Sequence, residues 1–370
     1  MKIKIKKDLL LENLNKVSKA ISTKNLIPIL SGIKFDLTKE GLTLTASDND
    51  ITIQTFIPAD NKDMEIEKEG SIIIQGKYLL EIIRKLPNIE VIDELKILIY
   101  AENSEFNLNG INQKEYPNVA LENSKNFVKI NTKLFKTIIN QTAFATSTDE
   151  SRPILTGINI KITGDILECS ATDSYRLAKK QAKLNEIAGE TYNIIVPGKN
   201  IVEFMKILNE GNEELEIHIF SNKVLFKQNN LLFQSRLVSG NYPNVNNLIP
   251  SDSFLKITAN LSNLYDVIDR ASILTSDKEK NIVTLETNKN LLIVRSSSAE
   301  IGRVEEKMNI TKDNEEEIKI SFSAKYMMDA LRSFEGDTVE LAFEGEVKPI
   351  IIKDVEDPNL TQLVLPIRTY

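Results

Sequence analysis

Cysteine and histidine are almost missing from this 370-residue chain, which has one of each, Cys169 and His218. A lone cysteine cannot close a disulfide within the chain, which fits a reducing cytoplasm, and a metal site of clustered His or Cys is excluded by the counts. Cys169 lies inside the apolar run "ILECSA" (166–171) with no partner thiol, and reads as a small buried residue rather than a nucleophile. His218 stands in "ELEIHIF" (214–220), where Leu215, Ile217 and Ile219 alternate inward. That alternation predicts a solvated His218 beside Glu216. Long apolar runs are lacking as well: no window reaches the roughly 18 consecutive apolar residues of a membrane span. The opening "MKIKIKK" has neither the apolar stretch nor the cleavage site of a signal peptide. G-x-G-x-x-G, G-x-x-x-x-G-K-[ST] and G-x-S-x-G are all absent, so dinucleotide, P-loop and α/β-hydrolase chemistry lack their signatures. The expectation is a soluble, cytoplasmic chain with no catalytic residue, no metal, no cofactor and no membrane partner.

Basic excess is missing too. The net charge is −7 at 41% hydrophobic content, which argues against a free-standing nucleic-acid binder while leaving ample material for several cores.

What is present is repetition. The stretch "PILSGIKFDLT" (28–38) returns as "PILTGINIKIT" (153–163), and the same gapless shift lays residues 3–22 over 128–147 and Asp48 over Asp173. With small drifts, "SIIIQGKYLLEIIRKL" (71–86) answers "YNIIVPGKNIVEFMKIL" (192–208), and "YPNV" closes both units at Tyr116 and Tyr242. A more worn third copy runs from "FLKITANLSNLYDVIDRASILTS" (254–276) to "IKISFSAKYMMDALRSF" (318–334). Copies of about 120 residues are too long for solenoid repeats of about 20 to 50, so each reads as a domain with its own core. The expected domains are 1–122, 126–250 and 253–370.

Within the first copy, "KIKI" alternates as a strand, and Asp8 is placed to cap a helix to about Ser22 whose apolar positions are Leu10, Leu14, Val17 and Ile21. Residues 32–58 alternate with turn signals at 39–41 and 47–50, an antiparallel meander. Another strand leads through Gly76 into a helix at 77–86, and further strands end at "YPNV". The class is α+β: three tandem units of antiparallel sheet with two helices each. The six helical segments hold twelve Lys or Arg against seven Asp or Glu, so they carry +5 while the rest carries −12. Exposed helix faces often hold lysine for solvation alone; the alternative is a basic helical surface that faces a polyanion. Asp48 and Asp173 could be imagined as paired acids of a hydrolase. Each, however, sits in a Ser/Thr-Asp-Asn/Ser turn where aspartate caps its own backbone.

The three copies, "ATDSYRLA" (171–178), the "GKN" helix start (198–200), "NYPNV" (241–245) and the ending "LVLPIRTY" (363–370) closely resemble the bacterial DNA sliding-clamp family, from end to end. The resemblance implies a non-enzymatic, head-to-tail homodimer whose six domains close into a ring, helices inside and sheets outside, around duplex DNA. It also implies tethering of the replicative polymerase, the clamp loader and repair proteins through a short hydrophobic peptide. Carried over residue by residue, the peptide pocket comprises Leu155, Thr172, Ser174, Tyr175, Arg176, Leu177, Pro243, Asn247 and Leu248. Its wall from the third copy comprises Tyr326, Val347, Pro349, Leu363, Val364, Leu365, Pro366, Ile367 and Arg368. Tyr175 and Asn247 depart from the family pattern, which often has His and Arg there. DNA-facing candidates are Lys24, Lys77, Arg152, Lys199, Lys206, Lys325 and Arg332, and the ring contact would set Phe106 and Leu108 against Ile273 and Leu274. Outside this family, a protein-only repeat adaptor and a carboxylate hydrolase are the alternatives.

Overall fold

The computed structural model describes residues 1–21, 27–86, 89–92, 96–101, 104–117, 119, 121–209, 211, 213–250, 252–275 and 281–368. Its element order repeats three times. The first copy runs β1 (Lys2–Ile5), α1 (Lys7–Val17), β2 (Gly32–Leu37), β3 (Gly41–Ser47), β4 (Ile51–Pro58), β5 (Met64–Lys68), β6 (Gly70–Gln75), α2 (Gly76–Lys85), β7 (Ile89–Ile92), β8 (Lys96–Ala101) and β9 (Ser104–Asn109). The second runs β10 (Phe127–Asn131), α3 (Thr132–Asn140), β11 (Gly157–Thr163), β12 (Ile166–Thr172), β13 (Arg176–Lys183), β14 (Tyr192–Pro197), α4 (Gly198–Met205), β15 (Glu214–Ile219), β16 (Lys223–Gln228) and β17 (Leu231–Arg236). The third runs β18 (Leu255–Asn260), α5 (Leu261–Ser272), β19 (Ile282–Asn288), β20 (Leu291–Ser298), β21 (Gly302–Asn309), β22 (Thr311–Lys312), β23 (Lys319–Ser323), α6 (Ala324–Leu331), β24 (Thr338–Phe343), β25 (Ile350–Asp354) and β26 (Leu360–Val364).

Neighbouring copies share sheets. An eight-stranded sheet, β10-β15-β16-β17-β4-β3-β2-β6, joins the first copy to the second through β17 and β4, with Phe233 opposite Ile53. A nine-stranded sheet, β14-β11-β12-β13-β26-β25-β24-β18-β22, joins the second to the third through β13 and β26. Two smaller sheets, β5-β1-β7-β8-β9 and β21-β20-β19-β23, belong to the first and third copies alone. All the pairings are antiparallel. An open sheet leaves a row of unpaired N–H and C=O groups at its edge, and pairing across copies satisfies them. Compactness follows these sheets rather than the repeat: one unit holds 1–133 with 199–237, the other 134–198 with 238–370. The third copy has a contiguous core, in which Leu264, Ile268, Leu285, Phe322, Met327 and Phe343 are buried together.

The first helix departs from the sequence reading. Its N-cap is Lys6, with no side-chain cap, so Asp8 lies in the first turn, where a negative charge suits the helix dipole. The α-helix stops at Val17 and tightens into a 3₁₀ turn at Ser18–Ala20, and Ser22 lies outside the described residues. Leu10, Leu14 and Val17 are buried as the spacing requires.

The small residue that opens the second helix of each copy, Gly76, Gly198 or Ala324, has a steric reason in the first two. A Cβ at Gly76 would come within 2.2 Å of the Ile21 side chain, and one at Gly198 within 3.0 Å of the Thr156 carbonyl oxygen. Backbone yields less readily than the end of an isoleucine. Gly198→Ala is therefore expected to destabilise its unit by about 1 to 3 kcal/mol, the usual cost of overpacking. Thermal melting of the variant beside wild type measures it; an unchanged midpoint would show that the helix start has room.

His218 is the clearest correction. It is 1% exposed, not solvated. Its Nδ1 accepts from the Ser124 N–H at 3.1 Å, its ring lies 4.9 Å from that of Phe127, and Nε2 is 3.1 Å from Glu216 Oε2. The stretch before β10 covers the outer face of β15, a face that strand alternation assigns to water. Cys169 is fully buried, and burial pushes its thiol far up, which makes it inert.

Candidate functional site

The turn between β12 and β13 is built by local hydrogen bonds. Asp173 Oδ1 accepts from the backbone N–H groups of Tyr175 and Arg176 at 2.9 and 3.0 Å, while Thr172 Oγ1 accepts from the Ser174 N–H at 3.2 Å. Asp48 plays the same part in the first copy, where Oδ1 accepts from the N–H groups of Asp50 and Ile51, both at 2.7 Å. Both carboxylates are engaged as turn acceptors.

Beyond the turn the two copies diverge. Arg176 Nε donates to Asp173 Oδ2 at 3.0 Å and Nη1 to Asp329 Oδ2 at 2.6 Å. Its guanidinium carbon lies 4.7 Å from the Tyr326 ring centroid and 5.3 Å from that of Phe144. Tyr175 continues the stack outward, 6.2 Å from Tyr326 and tilted by 21°. A nearly buried guanidinium is costly unless its donors are met, and two carboxylates and two ring faces meet them. Burial pushes the phenol of Tyr326 up, with the Asp173 charge adding to it.

Below this stack lies an apolar floor. Leu177 and Leu363 face each other across the β13–β26 pairing, and with Val245 and Ile351 they form a buried cluster. Tyr242, Ile249 and Leu365 pack half-buried against it. The Tyr242 hydroxyl accepts from the Thr172 N–H at 3.0 Å, and burial pushes that phenol up to about 12. The C-terminal segment is docked rather than frayed: the Leu365 N–H donates to the Tyr175 carbonyl at 2.9 Å, Pro366 bridges to Phe322, and the Ile367 N–H donates to the Ser321 carbonyl at 2.7 Å.

Most of the residues expected in the pocket lie at or near the surface of this half of the chain. Thr172, Leu177 and Leu363 are buried, Leu155, Arg176, Tyr326, Pro349, Leu365, Pro366 and Ile367 are half-buried, and Ser174, Tyr175, Pro243, Asn247, Leu248, Val347 and Arg368 are exposed. Val364 is the exception. It is 0% exposed and belongs to the core of the third copy, because alternation along β26 turns it away from Leu363. Sequence reasoning missed Phe144, Asp329 and the hydroxyl role of Tyr242. Asp329 lies three residues beyond Tyr326 on α6, a same-face spacing that could have flagged it.

Among the basic candidates, Lys24 lies outside the described residues. Lys77 and Lys325 are exposed, with no ion pair among the described residues. The others have acidic neighbours: Lys199 lies 3.1 Å from Asp50, Lys206 2.5 Å from Glu203, Arg332 3.5 Å from Asp329 and Arg152 3.5 Å from Asp149. Phe106, 37% exposed, and Leu108 share one face of β9, the end strand of its sheet. Ile273 is 71% exposed and Leu274 half-buried just after α5, beside a cavity of about 800 Å³ lined by Thr275, Arg295, Arg303 and Glu305.

Comparison with known proteins agrees with this architecture. Family models of the DNA polymerase III beta subunit match in chain order: its N-terminal domain over residues 1–120, its central domain over 129–244 and its C-terminal domain over 246–368. The chain is 43% identical to the Beta sliding clamp of Bacillus subtilis strain 168 over 378 residues, covering 100% of both chains. A crystal structure of the DNA polymerase sliding clamp from Bacillus subtilis superposes with a TM-score of 0.96 at 41% identity, again covering 100% of both chains. That of the DNA polymerase III beta chain from Streptococcus pneumoniae gives 0.95 at 34%, with the same coverage. Three tandem α+β copies with shared antiparallel sheets are thus the fold of a sliding clamp. The chain belongs to the DNA polymerase III beta-subunit family, and sliding-clamp function comes with that membership.

Proposed function

We propose that the chain forms a head-to-tail homodimeric ring around duplex DNA and holds partners through the groove at Leu177 and Leu363. The observation that carries the groove is its make-up: a buried apolar cluster of Leu177, Val245, Ile351 and Leu363 with Leu365 packed against it, the neighbouring rings of Tyr175 and Tyr326, and a docked chain end. Grooves of this kind take short peptides, with apolar anchors below and a few polar groups to orient them. The occupant is a short Gln-plus-hydrophobic segment of the replicative polymerase, the clamp loader or repair proteins. On this reading the protein is cytoplasmic and does no chemistry of its own. A carboxylate hydrolase finds no support, since Asp48 and Asp173 each commit Oδ1 to two turn N–H groups and Asp173 Oδ2 accepts from Arg176.

DNA contact is reserved for exposed Lys77, Lys199, Lys206, Lys325, Arg332 and Arg152, together with Lys24. Several of these share acidic neighbours, which weakens each phosphate contact and suits a surface that must slide. Binding of short linear duplex is accordingly expected to be weak and abolished by moderate salt, because few counterions are released. Rings loaded on closed circular DNA are expected to persist at that salt and to fall off once the circle is cut. Gel filtration of loaded complexes before and after linearisation reads this out. Equal loss from circles and linear DNA would leave only a protein-binding adaptor.

A further inference from the structure

Where two copies share a sheet, a strand of one meets a hairpin of the next, and the same place is built twice. The Phe56 N–H donates to the Asn230 carbonyl at 3.0 Å, and the Gln181 N–H to the Asn359 carbonyl, also at 3.0 Å. That common register makes Lys180 the counterpart of Thr55, and Asp357 the counterpart of Gln228. The contents differ. Lys180 is 6% exposed and its ammonium closes on Asp357, so a buried lysine occupies the place between β13 and the β25–β26 hairpin. Thr55 is too short to do the same. Between α1, the end of β4 and the β16–β17 hairpin lies a cavity of about 210 Å³, and Thr55 lines it. Thr55 is 2% exposed, and its hydroxyl has no hydrogen-bond partner among the described residues. Buried hydroxyls are nearly always bonded, so this one marks a place for a ligand atom. Leu9, Ile57 and Leu231 add apolar wall. Gln228, also 2% exposed, donates to Thr132 Oγ1 and accepts from the Asn209 N–H at 3.1 Å, which leaves its oxygen a second lone pair. The charged lining residues are Glu12 and Lys16, paired at 2.8 Å, and Glu213 accepts from the lining Asn229 amide at 2.9 Å. Acid therefore exceeds base on the open side.

We propose that this cavity binds a small linear diamine: one ammonium takes the part of Lys180 and meets Thr55 Oγ1 and Gln228 Oε1, while the other faces Glu12 and Glu213. The apolar walls suit the methylene stem, as they suit that of a buried lysine. A lysine side chain from another protein brings the inner ammonium alone, and an anion meets an acidic entrance. The site shares no residue with the peptide groove or with the DNA-facing set, and depends on neither reading.

Ligand-observed NMR with 1,4-diaminobutane on the full-length, DNA-free protein is the test, with thermal melts to confirm folding. Wild type is expected to bind with a dissociation constant of about 1 mM, the range open to so small a ligand. 1-Aminobutane, which lacks the outer ammonium, should bind about threefold more weakly. Thr55→Val removes the hydroxyl at nearly constant volume and should weaken diamine binding about tenfold, the scale of a hydrogen bond to a charged group, while Thr55→Ser stays within about twofold of wild type. Thr55→Lys together with Gln228→Asp rebuilds the pair of the later junction and should abolish binding. If that variant does not fold, Thr55→Val and Thr55→Ser decide alone. Equal binding by wild type, Thr55→Val and the refilled variant would mean that the diamine screens the acidic surface only, and would overturn the proposal. No binding by wild type would overturn it too, as would 1-aminobutane binding as tightly as the diamine.

Discussion

Deleting residues 365–370 is expected to abolish binding of a labelled Gln-plus-hydrophobic peptide, by at least about 100-fold, while the protein stays folded and dimeric. Energy in such grooves concentrates in a few buried anchors, each worth about 2 kcal/mol or more, and 100-fold corresponds to about 2.7 kcal/mol. The deletion removes Leu365 from the cluster around Leu177 and Leu363, and with it the N–H that engages the Tyr175 carbonyl. It leaves β26 intact to Val364, so the nine-stranded sheet and the core behind it retain their pairing. The deletion also removes a bridge to Phe322 and one bond to Ser321, both on β23, which keeps its pairing with β19. Anisotropy and light scattering on the same sample decide the matter. Retained affinity in a truncated dimer would put the peptide elsewhere.

The parts of this site that were legible in sequence are those encoded locally. The Asp48 and Asp173 turns follow from an aspartate two and three residues ahead of N–H groups it can reach, and the apolar faces of the first helix follow from spacing. What stayed hidden depends on partners far along the chain. Arg176 meets Asp329 across 153 positions, and nothing around "SYRL" announces an acidic residue on α6. His218 shows the same limit in reverse: alternation correctly put Leu215 and Ile217 inside, but only the fold reveals that the other face is also covered. Val364 was carried over with its neighbours from the family pattern, whereas a strand divides this chain end between two faces and turns Val364 into the core. The segregated charge was visible in composition, yet the pairing of Lys199 with Asp50 and Lys206 with Glu203 shows that part of it is spent within the protein.

The double variant Phe106→Ala, Ile273→Ala is expected to convert the ring to folded monomers, with a dimer dissociation constant raised by more than about 1,000-fold. Both residues are large apolar side chains left open to solvent in one chain, and Ile273 is more than two-thirds exposed. Isolated exposed leucines or isoleucines need no explanation, but these sit at the end strand of one sheet and beside a wide cavity next to the other. A head-to-tail dimer presents the contact twice, so two substitutions per chain remove four side chains from the assembly. At packed sites such truncations typically cost about 2 to 5 kcal/mol each, and even about 1 kcal/mol per site would total about 4 kcal/mol, or roughly 1,000-fold. The fold should survive, because neither side chain belongs to a buried core of its own chain. Sedimentation velocity at micromolar concentration distinguishes the outcomes. A double variant that sediments as wild type would place the contact between copies at other residues, and with it the geometry of the ring.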